Sequence, residues 1–456
     1  MNAQNDNLTP DEAEAFRSRC RAFLEEHATG IVVEGKDPRS TQSLAQARAY
    51  QAKVAAAGLA GLTYPVEFGG QGLTKAHDRI WREESGKFPD MTGQLTITHG
   101  MCLPMMAEYA SDELKSEHLA KMISAEEVFC QMFSEPGAGS DVASLQTRAV
   151  LDGDEWTING QKVWTTLAHH SDYGILIART DPTRPKHQGI TMFMVDMNAP
   201  GVEVRAINQI DGGQHFNEIF FTDLRIPKSW QIGPLNEGWR LATSMLMYER
   251  VAIGTGSTNG IKTPNAKWLM KEAAARGLAD DPLVRQRLMW LYSQEAAKSL
   301  VAMRTRAEMK AGKTPGPGGS LSKLHGAVIA KALRGIIADV FANGVMAWEG
   351  IDTDEEKAAR SLIGTYASTI AGGTDEIQRN IIGDRVLGLP REPSVDKDLP
   401  FGDLMKSRIA RQLVERRGAL RAERRVTMAR PAATPIAMRN VPNKPEPVVR
   451  ATPPST

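Results

Sequence analysis

The stretch EWTINGQKVWTT, residues 155–166, is where the chain changes its period. It is short and rich in β-branched and aromatic residues, as a pleated and half-buried strand requires. Asn159-Gly160 in its middle reads as a hairpin turn, which would put Trp164 and Thr166 on one face of the returning strand. An indole beside hydroxyls suits a flat ring system with polar edges. A core tryptophan next to surface threonines fits the same residues equally well.

Working outward, YGILIART, GITMFMVDM, VEVRAIN and NEIFFTDLRIP repeat this character between Gly, Pro, Asp and Asn breaks. Five such runs without intervening helices predict an antiparallel sheet or barrel. On either side the pattern is helical. Thr9-Pro10-Asp11-Glu12 combines a Thr cap, proline at the first helical position and Glu three residues after the cap, so a capped helix begins there. Helical pattern continues to about residue 125, with breaks such as YPVEFGGQG, and resumes from Trp239 in long segments. The expectation is an α+β multidomain chain: an N-terminal all-α domain (1–125), a middle antiparallel β-barrel (126–236) and a C-terminal four-helix bundle (237–395). Residues 396–456 form a basic and then Pro-rich tail, with the composition of a disordered appendage.

The 456 residues carry a formal net charge of +1, which gives no broad electrostatic footprint for nucleic acid or a membrane surface. Cys20, Cys102 and Cys130 lie far apart, without metal-ligand or CxxC spacing, and read as reduced thiols. No apolar run reaches the roughly 18 residues of a membrane span. No basic-then-apolar leader opens the chain, so the expected location is cytoplasmic.

Three segments can carry chemistry. In QMFSEPGAGSDVASL, residues 131–145, a Pro-Gly-Ala-Gly-Ser-Asp loop leaves a hydrophobic strand and permits close backbone approach to a ligand; an ordinary Gly turn is the alternative. In MLMYERVAIG, residues 245–254, Glu249 lies one turn after Met245 in apolar company, where burial raises a carboxylate's pKa and makes it a candidate general base. An ion pair with Arg250 is the alternative. In TIAGGTDEIQRN, residues 369–380, Gly372 and Gly373 precede Thr374 at a helix-cap position, leaving N–H groups free to meet an anion. His169, His170 and His215 lack the spacing of a metal site.

The ordered set FSEPGAGSD, WTINGQKVWTT, HFNEIFFTDLRIP, NEGWRLATSMLMYERVAIG and IAGGTDEIQRNIIGDRVLGLPRE resembles the acyl-CoA dehydrogenase family, from about residue 10 to residue 392. The resemblance implies FAD between the β domain and the C-terminal bundle. The segment containing Gln131, Phe133, Ser134 and Ser140 would hold the flavin ring. Trp164 and Thr166 would cover it, and Gly373, Thr374, Asp375 and Glu376 would meet its diphosphate and adenosine part. It also implies removal of a Cα proton from an acyl-CoA thioester and hydride transfer from Cβ to flavin N5, as in fatty-acid β-oxidation. Many members carry the base directly before the Gly-Thr of the last loop, where this chain has Gly372. A subset, which includes isovaleryl- and long-chain-type enzymes, carries it at the position of Glu249, which becomes the expected base. Ser140, Tyr248, Arg250 and Gly372 are the expected substrate contacts. Gly372 keeps a backbone N–H for the thioester oxygen and opens room for a branched or bulky acyl group.

Two elements depart from the pattern. KEAAARGLADDPLVRQRL lacks the Arg-x-x-Phe-Gly whose Arg reaches FAD of an adjacent subunit. In DVFANGVMAW, Asp339 replaces a Gln and brings a charge toward a diphosphate. The expected partners are therefore an acyl-CoA, an electron-transfer flavoprotein, and sister subunits in a homo- or hetero-tetramer or dimer. A flavin oxidase and a non-catalytic partner subunit are the competing readings.

Overall fold

A computed structural model describes residues 8–29, 41–254, 264–310, 318–350, 353–391, 393 and 397–407. The chain divides into two compact units, Met1–Phe401 and Gly402–Thr456. In the second, residues 402–407 are helical, and the rest of the tail lies outside the described residues.

The first unit opens with five helices: α1 (Pro10–His27), α2 (Thr41–Ala56), α3 (Lys75–Ser85), α4 (Leu103–Tyr109) and α5 (Asp112–Ser124). The Thr9 hydroxyl accepts from Glu12 N–H while the Glu12 carboxylate accepts from Thr9 N–H, so the capping box forms as the sequence predicts. Phe16, Phe23 and Leu24 of α1 bury into a core that includes Tyr50, Ile80 and Met106. One carboxylate is enclosed in this block. Glu84 of α3, 1% exposed, is ringed by Lys87 at 2.6 Å, Arg21 at 3.1 Å and Arg17. Lys87, with Arg17 and Arg21 behind it, holds Glu84 far below its ordinary 4.5, at about 2. Its stabilisation is therefore complete above about pH 4.5 and drains away as pH falls toward 2. Glu84→Gln is expected to cost about 2 kcal/mol at neutral pH, discounted because Lys87 and Arg21 are half in water. Urea titrations of both proteins check this, and the gap should close as pH falls from about 4.5 toward about 2.

The middle block is one eight-stranded sheet: β1 (Phe129–Met132), β2 (Arg148–Asp152), β3 (Glu155–Thr166), β4 (Tyr173–Arg179), β5 (Ile190–Asp196), β6 (Val202–Ala206), β7 (Phe216–Pro227) and β8 (Gln231–Ile232). Its order is β6-β7-β3-β2-β4-β5-β8, with β1 added on β4. Pairing is antiparallel except where β1 and β2 run parallel to β4. Trp156, Ile158, Phe193 and Leu224 fill its core, the Trp156 and Phe193 rings meeting edge-on at 5.1 Å.

The hairpin is not at Asn159-Gly160. It lies between β2 and β3, where Asp152 faces Glu155 and Gly153 turns at φ +62°. Asn159 and Gly160 are instead a bulge within β3, at a register shift against β7. The Asn159 amide donates to the Asp223 carboxylate at 3.0 Å and its carbonyl accepts from Asp223 N–H at 2.9 Å. A Cβ on Gly160 would lie 2.6 Å from Thr147 Cα, so the glycine serves a close crossing and not a turn.

The second helical block comprises α6 (Gly238–Gly254), α7 (Ala266–Ala275), α8 (Pro282–Lys310), α9 (Gly318–Phe341), α10 (Asp354–Gly364), α11 (Ala367–Ile370) and α12 (Asp375–Ile381). Leu269, Leu288, Leu291, Leu333 and Ile337 pack between α7, α8 and α9. Arg360 of α10 donates to the Asp211 carbonyl at 2.9 Å and links this block to the β6–β7 connection. Among the described residues, no helix is long and apolar enough to cross a membrane.

Candidate active site

The candidate residues fall into two groups. The first surrounds the Pro-Gly-Ala-Gly-Ser-Asp loop between β1 and β2. Gln131 and Phe133 are half-buried and buried, Ser134 is half-buried, and Ser140 lies exposed on the loop. Val163 N–H donates to the Ser134 carbonyl at 2.9 Å, which brings the Gln131–Ser134 strand end against the Trp164 segment.

That segment is distorted. A second register shift separates Lys162 from Thr165, and Trp164 and Leu167 have φ of +61° and +57°, a left-handed conformation costly for bulky side chains. The distortion turns the Trp164 indole outward, 58% exposed and edge-on to Phe216 at 5.9 Å. Thr165 turns inward, its hydroxyl buried and without a partner among the described residues, and Thr166 is half-buried.

Beneath the loop is a polar scaffold that sequence reasoning did not single out. Lys162 is fully buried and donates to the Glu135 carboxylate at 2.8 Å and the Phe133 carbonyl at 3.1 Å. Glu135 in turn accepts from Gln146 N–H at 2.7 Å and Thr147 N–H at 2.9 Å. Burial works to raise the Glu135 pKa, but the Lys162 charge and the amide donors outweigh it and hold the carboxyl below its usual range. Burial draws Lys162 downward against the pull of Glu135. From the other side Arg179 of β4, 3% exposed, donates to the Ala143 carbonyl at 2.6 Å and the Lys186 carbonyl at 2.7 Å. Its guanidinium lies 3.9 Å over the Phe401 ring. Burial lowers its pKa to about 10, so it stays charged at neutral pH.

The second group is the glycine loop before α12. Thr374 caps the helix, accepting from Ile377 N–H at 3.3 Å. Gly372 and Gly373 both take positive φ, +67° and +89°, conformations that favour glycine. Asp375 turns into the protein, where Lys331 at 2.7 Å and Lys323 at 3.4 Å of α9 bracket it. Burial would raise Asp375's pKa, yet the two ammonium groups hold it below the ordinary value. Two lysines on one aspartate leave a surplus positive charge beside the loop. Glu376 is exposed and pairs with Arg379 at 3.5 Å.

Tyr248 of α6 donates to the Glu108 carboxylate at 2.7 Å, tying that helix to the end of α4, and its pKa rises to about 12 through burial and Glu108. Glu249 and Arg250 follow on the helical backbone of α6, but their side chains lie outside the described residues.

One expectation changes, and several side chains find partners. Asp339 is not a bare charge, because it forms an ion pair with Arg287 of α8. Arg276, in the stretch that lacks the Arg-x-x-Phe-Gly pattern, is held by Glu272 and Glu355 and lies 4.0 Å over the Phe341 ring. Asp384 pairs with Arg391 at 2.8 Å. His169 bonds the Asn217 amide oxygen at 2.8 Å and His215 bonds Gln209 at 2.9 Å, so both are engaged at the end of the sheet.

These features suit a flat, anionic cofactor: an outward indole on a strained strand end and, among the described residues, an unpartnered threonine hydroxyl, free N–H groups at two glycines and a spare cation. The comparisons agree. Family models for the acyl-CoA dehydrogenase N-terminal, middle and C-terminal domains match residues 10–126, 130–224 and 236–387. Acyl-CoA dehydrogenase IpdE1 of Mycobacterium tuberculosis is 36% identical over 387 residues, spanning 84% of this chain and 99% of that protein. Among solved structures, the Tcur3481-Tcur3483 steroid ACAD aligns at TM-score 0.66 and 25% identity over 84% of this chain and 99% of its own. The ChsE4-ChsE5 complex from Mycobacterium tuberculosis aligns at TM-score 0.66 and 27% identity over 85% and 100%. The chain belongs to the acyl-CoA dehydrogenase family, oxidoreductases that act on acyl-CoA with FAD as cofactor.

Proposed function

We propose that this chain dehydrogenates the Cα–Cβ bond of an acyl-CoA bearing a bulky, steroid-derived acyl group, with Glu249 as the base. The observation that carries this is Gly372: where many members of the family place a catalytic carboxylate, this loop has no side chain. A base must then come from elsewhere, and α6 offers Glu249. Glu249 takes the Cα proton, and Gly372 leaves space for rings while keeping an N–H for the thioester oxygen. Bound FAD supplies the hydride acceptor, reoxidised by an electron-transfer flavoprotein. Gln131, Phe133, Ser134 and Ser140 would hold the ring system, Trp164 and Thr166 would cover it, and Gly373, Thr374 and Glu376 would meet the phosphate end. Tyr248 and Arg250 would flank the acyl chain. The steroid ACAD supports the substrate class.

A mixed assembly is the second reading, favoured by the missing Arg-x-x-Phe-Gly and by the two-protein ChsE4-ChsE5 complex. The test is the visible spectrum of the purified chain, alone and with a homologous subunit, before and after anaerobic addition of steroid-derived and straight-chain acyl-CoAs. Bleaching by the steroid-derived thioester supports the reading. Bleaching by short straight chains only overturns the substrate class. A chain that takes up FAD only with its homologue establishes the mixed assembly.

A further inference from the structure

The Pro-Gly-Ala-Gly-Ser-Asp loop is held at its two ends by different cations. Lys162 grips its start through Glu135 and the Phe133 carbonyl. Its far end hangs on Arg179, whose guanidinium donates to the Ala143 carbonyl at 2.6 Å and to the Leu145 carbonyl at 3.4 Å. The same guanidinium donates to the Lys186 carbonyl at 2.7 Å, and the Lys186 ammonium reaches back to the Asp141 carboxylate at 3.1 Å. The connection between β4 and β5 is thereby stitched to the loop through both the backbone and the side chain of one residue.

Arg179 is an expensive support. It is 3% exposed, its three hydrogen bonds go to neutral carbonyls, and its Nε is buried without a partner among the described residues. A cation withdrawn from water needs the rest of its surface covered by something that favours charge. An aromatic face does this, and the Phe401 ring lies against the guanidinium with 3.9 Å between its centroid and Cζ. Without the ring, water would reach the guanidinium and compete for the donors that hold the loop.

Phe401 is itself fixed in place. It is 6% exposed, its N–H donates to the Arg184 carbonyl at 2.8 Å, and Pro400 forms an antiparallel bridge with Pro185. The ring and the backbone of this short segment therefore grasp the same β4–β5 connection that Arg179 and Lys186 tie to the loop. The match to the family's C-terminal domain ends at residue 387, so this contact comes from the chain's extension beyond that domain.

We infer that Phe401 is a positioning residue for the cofactor: seated on Arg179, it keeps that guanidinium fastened to the Ala143 and Leu145 carbonyls, so that the segment 397–401 braces the FAD-binding loop from behind. This rests on the assignment of that loop to the flavin above.

The test uses the full-length chain and compares wild type with Phe401→Ala and Phe401→Leu. FAD affinity is measured by titrating flavin-free protein, and amide exchange is followed over residues 137–147. Phe401→Ala is expected to weaken FAD binding about 5- to 30-fold and to speed exchange in the loop, with exchange in β5 unchanged. Phe401→Leu covers the guanidinium without a π face and should recover part of both effects. By reciprocity, FAD added to flavin-free wild type should slow exchange of the Phe401 N–H. Variants with wild-type affinity and wild-type loop exchange overturn the role of Phe401. Exchange that rises equally in the loop and in β5 also overturns it, because a general loss of stability is then the cause. Faster loop exchange with unchanged FAD affinity overturns the assignment of the loop to the flavin, while the grip on Arg179 stands.

Discussion

Glu249→Gln should lower turnover by about a thousandfold or more, within the range a positioned general base contributes, while flavin content stays at the wild-type level. Gln matches Glu in size and helix propensity, so α6 is left intact and only the capacity to accept a proton is removed. Anaerobic stopped-flow reduction of the flavin isolates this step from reoxidation. Acyl-CoA affinity, measured separately by titration, should change little, because the variant loses an interaction made as the proton transfers. Glu249→Asp tests position against charge: it keeps a carboxylate but shortens its reach, and should recover part of the rate. A Gln variant that reduces flavin at the wild-type rate would remove Glu249 from the mechanism.

Lys162→Met should destabilise the protein by about 3 kcal/mol and release FAD. The side chain is fully buried, and its loss leaves the Glu135 carboxylate charged in a closed space without its ammonium partner, held by the Gln146 and Thr147 amides. Because the wild-type Glu135 pKa lies below its usual range, the pair's contribution is present at neutral pH and fades on acidification. The penalty in the variant should therefore shrink at lower pH, where protonation relieves the stranded charge. Glu135→Gln added to Lys162→Met should restore part of the loss, since neither partner is then ionised. Urea unfolding of the four proteins completes the cycle, and released flavin is read by fluorescence. Equal loss in the single and double variants would mean that packing of the lysine stem, not the charge pair, holds the loop.

Period alone separated the helical blocks from the strands, because apolar spacing reports which faces are buried. It was weaker on local turns. Asn-Gly has the same composition in a two-residue turn and in a bulge, and only the approach of Thr147 to Gly160 distinguishes them. Short β2, with largely exposed side chains, carried too little pattern to read. Trp164, Gly372 and Gly373 could be singled out, since an aromatic beside hydroxyls and a glycine pair before a cap are visible in one segment. Lys162 and Arg179 could not, because their meaning lies in partners on other strands. Gln378 looked like one polar residue of a helix, and its partners are two carbonyls of the loop before that helix. The one hint available for Lys162 was a charge directly before Val163 and Trp164 in a strand pattern.

The scaffold under the Pro-Gly-Ala-Gly-Ser-Asp loop also bears on the order in which the chain can acquire structure. Its stitches come from residues 135, 162 and 179, so the loop is closed by contacts that reach forward across two later strands. Each such closure carries a chain-entropy cost before any contact compensates for it. A nascent chain that has reached only β3 holds Glu135 and Lys162 but nothing to grip the Ala143 carbonyl. The loop proposed to face the flavin takes its final form only after β4 has been synthesised and paired, so it cannot mature together with the β2–β3 hairpin beside it.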